Sequence, residues 1–106
     1  MSTLDDVERE LGRVVDRLNS LPLGRVEPLA PRCHEVAQAL VAATRELGGD
    51  VPPQAVLPEV GVQAVGAQLA VVGGDFLGAA RLAPDAAGGP LGAVLDELTD
   101  LRRALP

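Results

Sequence analysis

Residues 62–82 read VQAVGAQLAVVGGDFLGAARL, and the spacing of their apolar side chains decides the fold. Val62, Val65, Leu69, Val72, Phe76 and Ala79 recur in alternating steps of three and four. A mean step of about 3.5 residues keeps them on one stripe of a helix, and such a stripe is buried against other helices. Three more stretches carry the same rhythm: Leu4, Val7, Leu11, Val14, Leu18, Leu21; then Leu29, Cys33, Val36, Leu40, Ala43, Leu47; and last Leu91, Val94, Leu98, Leu101, Leu105. Val15 and Leu95 widen two of these stripes, which suits a globular bundle better than a long coiled coil. The expected fold is all-α: an antiparallel up-down-up-down four-helix bundle, helices at approximately 3–21, 29–48, 58–82 and 90–105, in one domain spanning 1–106.

Local signals set these bounds. Ser2 or Thr3 is the N-cap of the first helix, with Asp5, Asp6 and Glu8 at its positive dipole end. Pro22 stops it, and 22–27 is read as a connector. The second helix starts around Pro28 to Pro31 and ends at Gly48-Gly49, a C-cap pair. The loop Asp50-Val-Pro-Pro-Gln54 divides the chain into two helical hairpins, and connections of about four to ten residues favour antiparallel neighbours. Pro58 falls near the first turn of the third helix. Gly73-Gly74 is the weak point there: a break would make Asp75 the N-cap of a separate helix through Leu82. A strand from Leu69 to Val72 with a two-glycine turn is the other reading, set aside because the flanks are Ala-rich. Pro90 opens the fourth helix, and Arg102 and Arg103 suit its last turn.

Composition narrows the function. The chain has 106 residues, with Leu, Val and Ala as its core materials and Phe76 as its single aromatic. All nine basic residues are Arg, and the net charge is −6. The absence of Lys and Ile beside abundant Arg, Ala, Gly and Pro is the mark of a very GC-rich genome, of actinobacterial type. An acidic chain without a basic patch cannot draw affinity from counterion release, so no nucleic-acid partner is expected. One cysteine requires no oxidising compartment. The amino end has neither a basic region nor an apolar run, so no signal peptide is read there. The charge-free stretch Val60 to Gly74 is shorter than the ~20 residues of a membrane span and reads as a core helix, so the expected location is cytoplasmic, with no membrane partner.

Candidate sites are few. Arg9, Arg13 and Arg17, spaced by four, lie three or four positions from Asp5, Asp6, Glu10 and Asp16, and so read as a solvated face of ion pairs. Cys33 falls on the apolar stripe and His34 beside it; neighbours on a helix point about 100° apart, so the pair does not converge on a metal. Val72-Gly-Gly-Asp-Phe76 superficially matches the turn signature of diguanylate cyclases but lacks one acid and the surrounding α/β domain. Gly61 to Gly66 is no dinucleotide loop. Asp96, Glu97 and Asp100 read as a charged outer face.

The third helix carries a second pattern: Ala67, Ala70, Gly74 and Gly78, a seam of small residues that lets another backbone approach closely. With its apolar stripe on a different side, this helix is apolar nearly all round, which suits a central position or an interface with a second chain. One His, one Cys, no Tyr and no Lys make a poor catalytic inventory, so no catalytic, metal or cofactor site is expected. The expected function is that of a small non-enzymatic protein–protein interaction module, pairing with itself as a homodimer through that seam. Two alternatives fit the length and helicity. One is a helical-hairpin protein of the kind actinobacteria export without a cleavable signal, although the Trp-x-Gly turn of that group is absent. The other is a binder of an apolar small molecule in an Ala- and Val-rich core.

Overall fold

The computed structural model describes residues 3–49, 51 and 57–106. Four long helices pack against each other, with no strand among the described residues. They are α1 (Leu4–Ser20), α3 (Ala30–Glu46), α4 (Val65–Leu82) and α5 (Gly88–Ala104). A one-turn helix, α2 (Leu23–Val26), and a 3-10 turn, Glu27–Leu29, lead into α3. The segment expected to be a plain connector is therefore helical, and Val26 anchors it with only 2% exposure. Pro22 ends α1 but serves as the N-cap of the next turn, where its missing N–H costs nothing.

The caps follow the sequence closely. Thr3 and Asp6 form a capping box: the Thr3 hydroxyl accepts from the Asp6 N–H, and the Asp6 carboxylate accepts from the Thr3 N–H, each at 3.1 Å. The second of these bonds is the chief reason that the Asp6 carboxyl lies below its ordinary pKa. At the end of α3, Gly48 takes φ +79°. Its N–H reaches Arg45 O at 3.0 Å, and the Gly49 N–H reaches Thr44 O at 2.9 Å, a complete Schellman motif.

Two further bounds move. The third long helix does not begin at Pro58. Gly61 is extended (φ −61°, ψ 154°), a 3-10 turn covers Val62–Ala64, and α4 proper starts at Val65. The helix then runs unbroken through Gly73-Gly74, because Leu69, Val72, Phe76 and Ala80 beside them are buried on its inner face. The fourth helix opens two residues before Pro90, at Gly88. The loop 50–54 lies largely outside the described residues, and so does Ser2.

Cross-helix contacts give the helix directions. On α1 and α4, Leu18 lies at Gly66, Leu11 at Gly73 and Glu8 at Arg81, so these two run antiparallel. Glu10 meets Arg102, and Arg17 Nε donates to Pro106 O at 2.7 Å, so α1 and α5 run parallel. Arg32 pairs with Glu97 at 3.2 Å while Ala43 and Glu46 face Pro90 and Ala93, so α3 opposes α5. The first turns of α3 and α4 are then neighbours, with Ala30 and His34 facing Val65 and Gln68. The four-helix bundle stands as expected, but its order is up-down-down-up rather than up-down-up-down. The departure lies in the directions of α4 and α5, each opposite to the one expected.

One hydrophobic cluster joins all four helices, with Val14, Val36, Leu40, Leu69, Phe76, Leu98 and Leu101 at 1% exposure or less. Where α1 meets α4, two glycines of α4 receive α1 side chains. A Cβ on Gly66 would collide with Asn19, and one on Gly73 would lie 2.8 Å from Leu11 Cδ1. A Cβ on Gly74, one residue later, meets nothing within 4 Å. Gly74→Ala therefore gains the usual helix preference for alanine, up to about 1 kcal/mol. Gly73→Ala must displace Leu11 for the same gain, and overpacking of this kind costs about 1–3 kcal/mol. Urea denaturation of the two variants will rank Gly74→Ala as the more stable; equal midpoints would mean that α1 does not approach α4 this closely.

Candidate functional site

The seam residues of the third long helix lie on its outer side. Ala67, Ala70 and Gly74 are exposed and Gly78 is half-buried. Val71 and Leu82 stand on the same side at 64% and 89% exposure, two of the three exposed large hydrophobics described. At about 100° per residue, Ala67, Gly74, Gly78, Val71 and Leu82 fall within one band of the helix surface. Arg81 borders the band and is held to Glu8 of α1 at 3.4 Å. Asp75 is exposed at the other margin. Between these margins the face holds no polar side chain: two apolar projections, Val71 and Leu82, beside two open positions, Gly74 and Gly78, where a Cβ would touch nothing.

The glycines that receive α1 side chains inside the bundle are different ones. Gly66 and Gly73, seven apart, are the pair that α1 meets, and neither belongs to the seam read from the sequence. The signal was available: Gly66 and Gly73 sit in register with Leu69, Val72 and Phe76 on the buried stripe. The two faces differ in consequence. The inner glycines are occupied, and the outer ones are open to solvent.

Other candidates resolve into structure. Cys33 is buried, and burial pushes its thiol up to about 11, against a smaller opposing effect of Arg32. His34 is half-buried on α3, its Nε2 3.0 Å from the Gln38 amide nitrogen and its Nδ1 buried with no hydrogen-bond partner. Among the described residues, no group of three or more His, Cys, Asp or Glu could hold a metal ion. Val72 to Phe76 is interior helix and makes no turn.

The Arg-rich face of α1 is less uniform than its spacing implies. Arg13 pairs with Glu10 at 3.5 Å, three residues apart as expected. Glu10 itself is not a solvated acid: it is 6% exposed and also held by Arg102 of α5. Sequence reasoning missed this group, because its partner lies 92 residues away. On α5, Glu97 joins Arg32 in a cross-helix pair, while Asp96 and Asp100 face solvent.

By length and composition alone, Val62–Leu82 also meets the size of a membrane-crossing helix, with 44% of its most apolar window buried in the bundle. No protein-family model, no curated protein and no solved structure matches the chain.

A thiol raised to about 11 is almost wholly protonated at about pH 8, with roughly one molecule in a thousand as thiolate. The thiolate is the reactive form, so the native protein will react with an aromatic disulfide reagent far more slowly than the urea-unfolded chain. Its native rate will climb as pH rises toward 11. Equal rates in the native and unfolded states would show Cys33 to be accessible.

Proposed function

We propose that the protein is a non-enzymatic interaction module that pairs with a second copy of itself through the outer face of α4. The observation that carries this reading is the outer face itself, on which Val71 and Leu82 project beside Gly74 and Gly78. A two-fold dimer places the same patch on both sides of its interface, so a patch holding both projections and hollows is suited to meet its own copy. Glycine and alanine let two helices approach to the short end of the usual ~8–10 Å axis separation, and close packing then adds dispersion to the burial of apolar area. Between its margins at Asp75 and Arg81 the face carries no charged side chain, which lowers the desolvation cost that opposes most surface helices.

The interface that one helix face can offer is small. It belongs to the weaker class, below about 1,200 Å² in total, and the dimer is expected to dissociate on dilution. Light scattering and sedimentation of the wild-type protein will give twice the 10.9 kDa chain mass at high concentration. Gly74→Leu, which fills a hollow, and Val71→Glu, which strands a carboxylate at the contact, will each give a folded monomer with unchanged helical circular dichroism. A wild-type chain that stays monomeric throughout would overturn self-association.

A further inference from the structure

A second feature lies at the other end of the chemistry, where α3 and α4 begin side by side. A cavity of about 100 Å³ opens there, bounded by the first turns of both helices and by the extended residues before α4. Ala30, Pro31, Val60 and Val65 supply its apolar lining, and three polar residues line the rest: His34, Glu59 and Gln68.

The polar groups share one character. Gln68 donates its amide nitrogen to Pro58 O at 2.9 Å, which fixes that side chain and leaves its Oε1 as the unused atom, an acceptor. Glu59 forms no ion pair among the described residues, and no arginine lines the cavity in a chain of net charge −6. His34 Nε2 lies 3.0 Å from the Gln38 amide nitrogen, and its Nδ1 is buried without a hydrogen-bond partner. A carboxylate and an amide oxygen, set against apolar surface with no arginine in the lining, recognise a positively charged N–H donor that carries a short hydrocarbon part.

We propose that this cavity binds a small primary alkylammonium ion, with Glu59 and the Gln68 carbonyl accepting from the ammonium and Ala30, Pro31, Val60 and Val65 enclosing the alkyl chain. The volume admits a ligand of only a few non-hydrogen atoms, such as ethylammonium or propylammonium. Lysine side chains carry the same group, so a free amine and a partner's lysine are two sources of one chemistry. The site is separate from the outer face of α4, and its occupancy does not depend on self-association.

The test is a titration followed by backbone amide NMR, with ethylammonium and propylammonium as probes and propionate and propanol as size-matched controls. The ammonium ions will give saturable shifts confined to residues around 30–34, 59–60 and 65–68, and the controls will not. Glu59 is solvent-exposed, so Glu59→Gln will weaken binding by about three- to fivefold, the weight of a solvent-reachable ion pair, without unfolding the chain. A blocked lysine binding more tightly than propylammonium supports the site with a partner side chain as its source, and weaker binding supports a free amine. Gly74→Leu will leave the titration unchanged, so failure here is distinguishable from failure of the dimer. Unsaturable shifts, an equal response to propionate or propanol, or indifference to Glu59→Gln would overturn the proposal.

Discussion

The contact on which the bundle depends is the approach of α1 to α4 at Gly66 and Gly73. A Cβ at either position would fall on the side chain of Asn19 or Leu11, so these α1 side chains fill the space that the two glycines leave open. That approach lets Leu11 and Leu18 lie across α4 and brings Leu69, Val72 and Phe76 under full cover. It also fixes which way α4 faces. With one side pressed on α1 and a neighbouring side on α3, the surface bearing Gly74 and Gly78 has nowhere to go but outward.

Charge is arranged around this core with few residues. Glu10 sits at the edge of the α1 stripe and is buried, so its carboxylate needs partners, and Arg13 and Arg102 supply them. Removing a partner from such a group strands a charge, whereas exposed pairs such as Arg81 with Glu8 contribute little. The buried acid therefore acts mainly on register, tying one level of α1 to one level of α5. Arg17, reaching Pro106, repeats the same alignment two turns further on.

Much of this was legible in the residues. All four apolar stripes are buried as read, because helical periodicity depends only on local spacing. The N-cap at Thr3 and the glycine cap at Gly48 are equally local. What could not be read depends on distance along the chain. The direction of α4 is fixed by contacts such as Glu8 with Arg81 and Leu11 with Gly73, which join residues far apart in the chain. Glu10 looks like any surface acid until Arg102 is placed beside it. The seam at Ala67, Ala70, Gly74 and Gly78 was visible as a face, but spacing cannot say whether a face looks inward or outward.

That last distinction gives the outer glycines their meaning. Glycine in a helix interior costs up to about 1 kcal/mol relative to alanine, and Gly66 and Gly73 recover that cost through the packing that they permit. Gly74 and Gly78 recover nothing within the bundle, since a methyl group at either would touch no atom. A composition skewed toward GC-rich codons does not account for them, because alanine and glycine codons are equally rich in G and C, and this chain has 16 alanines to 12 glycines. Stability of the single chain favours alanine at both sites. Gly74 and Gly78 thus leave an open strip on the outer face of α4, beside the projecting side chains of Val71 and Leu82.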